Sequence, residues 1–86
     1  MKYKLQFGRQ FDKDFAKLDP MIQSRILTVI ESFQSDPYQS ITKLRDMEKG
    51  QFRRRIGDYR IRFDIYENEK VIYLYRVRHR KDIYKS

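Results

Sequence analysis

Arginine is concentrated in the last part of the chain. Residues 53–86 carry eleven Lys/Arg and five Asp/Glu, whereas residues 1–52 carry nine and seven, and the whole chain has a formal net charge of +8. Eight of those eleven basic residues are arginines. A guanidinium group binds phosphate through two donors and stacks on bases, so this bias favours a nucleic acid as the partner. An acidic protein would satisfy the same charge.

The spacing of these arginines indicates that they share one side of a sheet. Alternate residues of a strand point to the same face. We therefore expect the arginines of three successive strands to meet on the face that helices do not cover: Arg53 and Arg55, Arg60 and Arg62, and Arg76, Arg78 and Arg80.

Several familiar catalytic groups are missing from the sequence. His79 is the only histidine, which excludes a pair of histidines acting as acid and base, and there is no cysteine. Asp58, Asp64 and Asp82 lie on separate segments among arginines, so we expect no metal site and no cofactor. The remaining possibility is catalysis by positioning a phosphate and stabilising its growing negative charge.

The elements that precede the arginines are a strand and two helices. Residues 2–7 alternate between apolar and polar, as a half-buried strand does. Apolar residues at helical spacing then mark a first helix, and Asp19-Pro20 marks the beginning of a second one that stops before Asp36-Pro37. The two stripes consist of Phe11, Phe15 and Leu18, and of Ile22, Ile26, Val29 and Phe33.

The pattern of the remaining residues predicts a loop followed by three strands. Residues 38–50 are polar and are predicted to form a loop. The strands are expected at Phe52 to Ile56, Tyr59 to Tyr66 and Val71 to Arg78. The order β-α-α-β-β-β predicts one α+β domain over residues 1–86, with a mostly antiparallel sheet and an antiparallel helical hairpin on one face.

The sequence also bears on where the protein works. The longest aliphatic stretch, Ile26-Leu27-Thr28-Val29-Ile30, is far shorter than the ~20 residues that span a bilayer, and the N-terminus shows no apolar signal core. We therefore expect a cytoplasmic protein without a membrane partner.

Three segments together resemble the RelE/ParE toxin superfamily, the toxin halves of bacterial type II toxin–antitoxin systems. They are Leu44-Arg45-Asp46-Met47, Phe52-Arg53-Arg54-Arg55-Ile56-Gly57-Asp58-Tyr59-Arg60, and His79-Arg80-Lys81-Asp82-Ile83-Tyr84. The resemblance implies a RelE-like fold and a metal-independent endoribonuclease that cleaves mRNA in the ribosomal A site. It also implies an acidic antitoxin partner, with mRNA and the 30S A site as the other partners.

The resemblance implies roles for particular residues. The catalytic set would be Arg53, Arg55, Arg60, Arg78 or Arg80, and Tyr84, with Tyr84 stacking on a base. We assign RNA contacts to a second set, which consists of Lys43, Arg45, Arg54, Arg62, His79 and Lys81. A ribose 2′-hydroxyl would attack the adjacent phosphate. The proton acceptor stays open, because arginine cannot deprotonate and both His79 and Tyr84 are candidates.

Two other functions are compatible with the sequence. A ParE-like member of the superfamily inhibits DNA gyrase and cleaves nothing, yet it shares the fold and the basic strands. A non-enzymatic nucleic-acid-binding module would bind with a strong salt dependence and cleave nothing.

Overall fold

A computed structural model of the protein describes residues 2–44 and 49–82. Its elements, in chain order, are β1 (Lys4–Phe7), α1 (Arg9–Ala16), α2 (Pro20–Phe33), β2 (Ile41–Lys43), β3 (Phe52–Ile56), β4 (Tyr59–Tyr66) and β5 (Val71–His79). No helix in these two ranges is both long enough and apolar enough to cross a membrane.

The strands form one sheet in the order β1-β5-β4-β3-β2. β1 pairs with β5 in parallel, whereas the other three pairings are antiparallel. This arrangement confirms the predicted α+β fold with a mostly antiparallel sheet. The prediction of a loop over residues 38–50 is wrong in part, since β2 lies within it and pairs with β3. A strand of three residues is too short to show a clear two-residue period.

The predicted boundaries of the second helix agree closely with the structure. α2 begins at Pro20 and ends at Phe33, before Asp36-Pro37. Asp19 occupies the N-cap position in an extended conformation, but its side chain makes no capping hydrogen bond. The proline and the extended backbone of Asp19 therefore set the beginning of the helix without help from the carboxylate.

The core lies between the helices and one face of the sheet. Ile26, Ile30 and Phe33 of α2 are fully buried, and the Phe33 ring lies 4.6 Å from that of Phe63 on β4, measured between centroids. The predicted stripes gave the right faces. However, Phe15, Ile22 and Val29 are only partly buried and lie at the rim of the core, and Leu18, also partly buried, lies between α1 and α2.

The opposite face of the sheet, here called the open face, carries the alternate residues of β3, β4 and β5. On β4 these are Arg60, Arg62 and Asp64, which are only 7%, 9% and 8% exposed. Buried charges require partners, so side chains and a loop must cover this strand in place of helices. The candidate functional site lies on this face.

A β-bulge interrupts the pairing of β4 with β5. Arg62 pairs with Arg76 and Phe63 pairs with Leu74, so Tyr75 has no opposite residue on β4. A bulge changes the direction of the side chains beside it. Tyr75 therefore lies on the open face, against Gly50 and Arg62.

Candidate functional site

Five cationic side chains surround a depression of about 490 Å³ on the open face, and we call it the basic pocket. Its residues are Arg53 and Arg55 of β3, Arg60 of β4, and Arg80 and Lys81 of the turn after β5. Two neighbouring strands and the turn after a third thus contribute to it, and they bring together Arg53, Arg55, Arg60 and Arg80 of the arginines expected to meet there.

The β3–β4 hairpin places two of these arginines directly opposite each other. Arg55 and Arg60 are paired residues, and the strands are joined by Gly57 and Asp58. Gly57 has φ +57, a backbone conformation that glycine adopts without strain. Like charges at paired positions destabilise a sheet. This arrangement therefore favours an anion in the pocket.

Arg60 is the buried member of the basic pocket. Its Nη1 donates hydrogen bonds to the carbonyl oxygens of Gly57, at 2.8 Å, and Tyr59, at 2.9 Å. Burial lowers the pKa of Arg60, and the positive charges of Arg55, Arg53 and Arg80 lower it further. An arginine nevertheless keeps its proton, so Arg60 is a fixed positive charge whose repulsion an anion would relieve.

Arg80 is placed by the backbone and has an exposed side chain. Its N–H donates to the Asp58 carbonyl oxygen at 2.7 Å, which ties the turn after β5 to the β3–β4 hairpin. The Arg80 Nε lies 3.9 Å from the Asp58 carboxylate, and both side chains are more than half exposed. Such an ion pair is weak, so an incoming anion can replace the Asp58 carboxylate as the partner of the Arg80 guanidinium.

Arg62 holds a loop and does not line the basic pocket. Its Nε donates to the carbonyl oxygen of Gly50 at 3.1 Å, and its Nη2 donates to that of Lys49 at 2.7 Å. The guanidinium also lies 5.3 Å from the centre of the Tyr75 ring. Arg62 is thus bound to the loop through Nε and Nη2, and its contact with RNA stays a prediction.

Asp64 secures the same loop from the other side. Its two carboxylate oxygens accept hydrogen bonds from the backbone N–H groups of Gly50 and Gln51, both at 2.8 Å. The sequence pattern alone indicates only that Asp64 is an isolated carboxylate among arginines. An aspartate in the middle of a strand, on the side that carries arginines, is the signal that could have identified this structural role.

Arg76 does not join the other arginines, and the expectation that it would is wrong. Its Nε donates to Asp14 of α1 at 2.8 Å, and the Val77 N–H donates to the same carboxylate at 3.2 Å. The hydrogen bond with Asp14 raises the pKa of Arg76. The pair therefore fastens α1 to β5, beyond the point where β1 ends.

Arg78 and His79 line a different depression of about 240 Å³, together with Asp14, Lys17 and Asp82. Of the two arginines considered for the last catalytic position, Arg80 is therefore the one that lines the basic pocket. The His79 ring packs edge-on against Tyr59, with 5.4 Å between centroids. Its Nδ1 accepts a hydrogen bond from the Lys81 N–H at 3.2 Å.

The other predicted contacts lie elsewhere. Arg54 alternates with Arg53 and Arg55, so it lies on the helix-facing side, where it donates to the Gln39 carbonyl oxygen at 2.9 Å. Lys43 is exposed at the end of β2, outside the basic pocket. Arg45 and Tyr84 lie outside the described residues. Within residues 2–44 and 49–82, no group of three or more His, Asp or Glu side chains is arranged to hold a metal ion.

Comparison with protein families gives one match. Residues 5–84 match the family described as the ParE toxin of the type II toxin–antitoxin system parDE. None of the curated proteins compared with the chain matches it.

The structure is similar to several solved toxin structures. One is from the RelBE2 toxin–antitoxin complex of Mycobacterium tuberculosis, with a TM-score of 0.82, 25% identity, and coverage of 92% of this chain and 99% of that one. Another is from the RelB–RelE antitoxin–toxin complex of Methanococcus jannaschii, with a TM-score of 0.73, 30% identity, and coverage of 92% and 94%. The isolated E. coli RelE toxin has a TM-score of 0.71 at 20% identity, with coverage of 90% and 83%, and therefore shares the fold.

Proposed function

Since the chain belongs to the ParE toxin family of type II toxin–antitoxin systems, within the RelE/ParE superfamily, we propose that it is a toxin that cleaves mRNA in the ribosomal A site. The observation that carries the proposal is the basic pocket. Five cationic side chains from β3, β4 and the turn after β5 meet there, and one of them, Arg60, is buried. An RNA strand carries a negative charge on each phosphate, so several successive phosphates can bind these cations.

The proposed reaction requires no metal. A ribose 2′-oxygen attacks the adjacent phosphorus and loses its proton to a base. The bond from phosphorus to the 5′-oxygen breaks, and that oxygen takes up a proton, which leaves a 2′,3′-cyclic phosphate and a 5′-hydroxyl. Negative charge grows on the phosphate in the transition state. Fixed cations stabilise it most strongly where water is excluded.

The structure supports different tasks for the arginines of the basic pocket. Arg60 and Arg80 bind the scissile phosphate in this proposal, because one is anchored at the back of the pocket and the other is held only weakly by Asp58. Arg53 and Arg55 bind the flanking phosphates from β3.

The proton acceptor must come from another residue. His79 alternates with Arg78 and Arg80 and lines the neighbouring depression, so we do not propose it as the base. Tyr84 remains as the proposed group that stacks on a nucleobase and accepts the proton, since a phenol can act as a general base where cations lower its pKa.

The proposal includes an antitoxin that silences the enzyme. The relatives from M. tuberculosis and M. jannaschii come from complexes with antitoxins. An acidic antitoxin matches the basic pocket by charge, and it would compete with RNA for the same arginines. Such a toxin acts in the cytoplasm, where translating ribosomes are.

The test is cleavage of mRNA on purified ribosomes programmed with a defined message, read by primer extension. We expect Arg60→Ala to slow cleavage by about 100- to 1000-fold. Arg9→Ala controls for the loss of one positive charge, because Arg9 is an exposed arginine on α1 outside the basic pocket. We expect the products to end in a cyclic phosphate and EDTA to leave the rate unchanged. Products with a 3′-hydroxyl would contradict the mechanism.

Inhibition of DNA gyrase is the second candidate, because the matching family model is the one named for ParE. It predicts that the protein blocks supercoiling by gyrase and leaves mRNA intact on ribosomes. Intact mRNA on programmed ribosomes together with loss of supercoiling would replace the proposed function with this one. Salt-dependent RNA binding without either activity would indicate a binding module.

A further inference from the structure

The open face has a second depression, which we call the tyrosine pocket. It has a volume of about 160 Å³ and is lined by Lys49, Asp64, Tyr66, Tyr73 and Tyr75. Tyr66 is 49% exposed, and Tyr73 and Tyr75 are partly buried. Three aromatic side chains therefore border a small cavity on the same face as the basic pocket.

The two pockets lie along one strand. Arg60, Arg62, Asp64 and Tyr66 are alternate residues of β4 and so lie on the open face in that order. At the rise of a β-strand, Arg60 in the basic pocket and Asp64 in the tyrosine pocket are about 13 Å apart along the chain. A single-stranded nucleic acid can extend from one pocket to the other over this distance.

The bulge in β5 builds the tyrosine pocket. Tyr75 is the residue without a partner on β4, and its ring lies against Gly50. A Cβ atom at Gly50 would lie 2.7 Å from Tyr75 Cδ2, and Gly50 has φ +63. The loop can therefore approach the ring only because residue 50 has no side chain. Two hydrogen bonds then hold the loop in place: Gly50 N–H donates to Asp64, and Arg62 Nε donates to the Gly50 carbonyl oxygen.

The lining of the tyrosine pocket suits a base better than a phosphate. Among residues 2–44 and 49–82, three tyrosines border it with one cation, Lys49, and no arginine, and the carboxylate of Asp64 already accepts two backbone hydrogen bonds. Tyrosine rings stack on the faces of unpaired bases, and recognition of single-stranded RNA commonly combines such stacking with cations on the backbone.

We propose that the tyrosine pocket binds a nucleobase of the RNA strand whose phosphates occupy the basic pocket. This inference rests on the proposed function, since it requires RNA in the basic pocket. It adds a base-binding subsite that makes affinity depend on a stacked base as well as on charge.

The test uses a single-stranded RNA octamer with the fluorescent base 2-aminopurine placed at each position in turn. For at least one position we expect the fluorescence to fall when the intact protein binds, because stacking quenches the base. Tyr66→Ala should abolish this quenching and weaken binding of the octamer by about 5- to 150-fold, which is the range for loss of one stacked base. Tyr66→Phe keeps the ring and should preserve both signals.

Two controls distinguish stacking from charge and from general damage. Tyr38→Ala removes a tyrosine of similar exposure, 48%, that packs against Phe52 away from the open face, and it should leave binding unchanged. The slope of the logarithm of the binding constant against the logarithm of salt concentration counts the phosphates neutralised. Arg55→Ala should reduce the size of that slope by about one, whereas Tyr66→Ala should leave it unchanged. Thermal unfolding of each variant confirms that it is folded.

The possible outcomes separate this inference from the proposed function. If Arg55→Ala weakens binding while Tyr66→Ala does not, or if no position of the octamer is quenched, the basic pocket holds RNA and the tyrosine pocket does not bind a base. If Tyr38→Ala weakens binding as much as Tyr66→Ala does, the subsite is likewise rejected. If the wild-type protein does not bind the octamer even at low salt, RNA binding by the basic pocket fails as well.

Discussion

At the scale of single residues, four arginines of the open face and its edge form two groups with different tasks. Arg62 and Arg76 are held by backbone carbonyls or by a carboxylate on α1, and they serve the fold. Arg60 and Arg80 line the basic pocket. Residue type alone did not separate these groups, because every guanidinium group offers the same five donors. Arg62 and Arg76 bind their acceptors through Nε and Nη2, whereas Arg60 binds the carbonyls of its own hairpin through Nη1.

The difference in burial between Arg60 and Arg80 leads to a prediction about lysine. Arg60 uses Nη1 to hold the hairpin and needs its other donors for the substrate, so Arg60→Lys should lose most of the activity, about 100-fold. Arg80 is exposed and offers mainly charge, so Arg80→Lys should retain activity within about tenfold.

The measurement is the single-turnover rate of cleavage on programmed ribosomes, with a thermal unfolding curve for each variant. Equal losses from the two lysine substitutions would show that the buried and the exposed arginine do the same work.

At the scale of elements, the turn between β4 and β5 is tied to distant parts of the chain by one carboxylate. Glu67 accepts hydrogen bonds from the hydroxyl groups of Tyr38 and Tyr3, the latter at 2.7 Å. Its other oxygen pairs with Lys70 at 2.9 Å. The hydrogen bonds from Tyr38, Tyr3 and Lys70 lower the pKa of Glu67 to about 2.

This lowered pKa predicts how stability depends on pH. A carboxylate whose pKa is lower in the folded state stabilises the fold above its unfolded pKa, about 4.3, and that stabilisation is lost as the pH falls toward 2. We expect Glu67→Gln to lower the free energy of unfolding at pH 7 and to have a smaller effect at pH 3.

Urea unfolding of both proteins at the two pH values measures this difference. Glu69→Gln is a suitable control, since Glu69 is an exposed carboxylate of the same turn. An effect of Glu67→Gln that is the same at both pH values would mean that the carboxylate contributes no pH-dependent stability.

At the scale of the whole molecule, the clustered positive charges favour binding of an anion but lower the stability of the free protein. The net charge is +8, and several of the cations meet in the basic pocket. Self-repulsion of this kind destabilises a folded protein. It is relieved when a polyanion or an acidic antitoxin binds.

Removing one of these charges should therefore stabilise the free protein. We expect Arg55→Gln to raise the free energy of unfolding by about 0.2–1 kcal/mol at low salt, because it removes the like charge opposite Arg60. The gain should shrink at high salt, where the repulsion is screened. Cleavage by the same variant should be slower.

Urea unfolding at 20 mM and at about 500 mM salt provides the measurement. A loss of stability at low salt would mean that Arg55 makes favourable contacts that outweigh its repulsion of Arg60.

The local pattern of the sequence determined the order of the elements other than β2, the boundaries of α2 and the alternation that brings Arg53, Arg55 and Arg60 to one face. These features depend on residues close together in the chain, since strand and helix periods are local properties. The resemblance to the RelE/ParE superfamily came from the same segments, and the family match confirms it.

Only the tertiary structure decided which charged side chains belong to the basic pocket. Arg76 binds Asp14, which lies 62 residues away in the chain. A bulge places Tyr75 on the open face, and the loop at Gly50 forms hydrogen bonds with both Arg62 and Asp64. The short β2 was likewise visible only once it had paired with β3. In each case the cause is a partner distant in the chain. The period of a strand gives the face of a side chain, but the partner decides what that side chain binds.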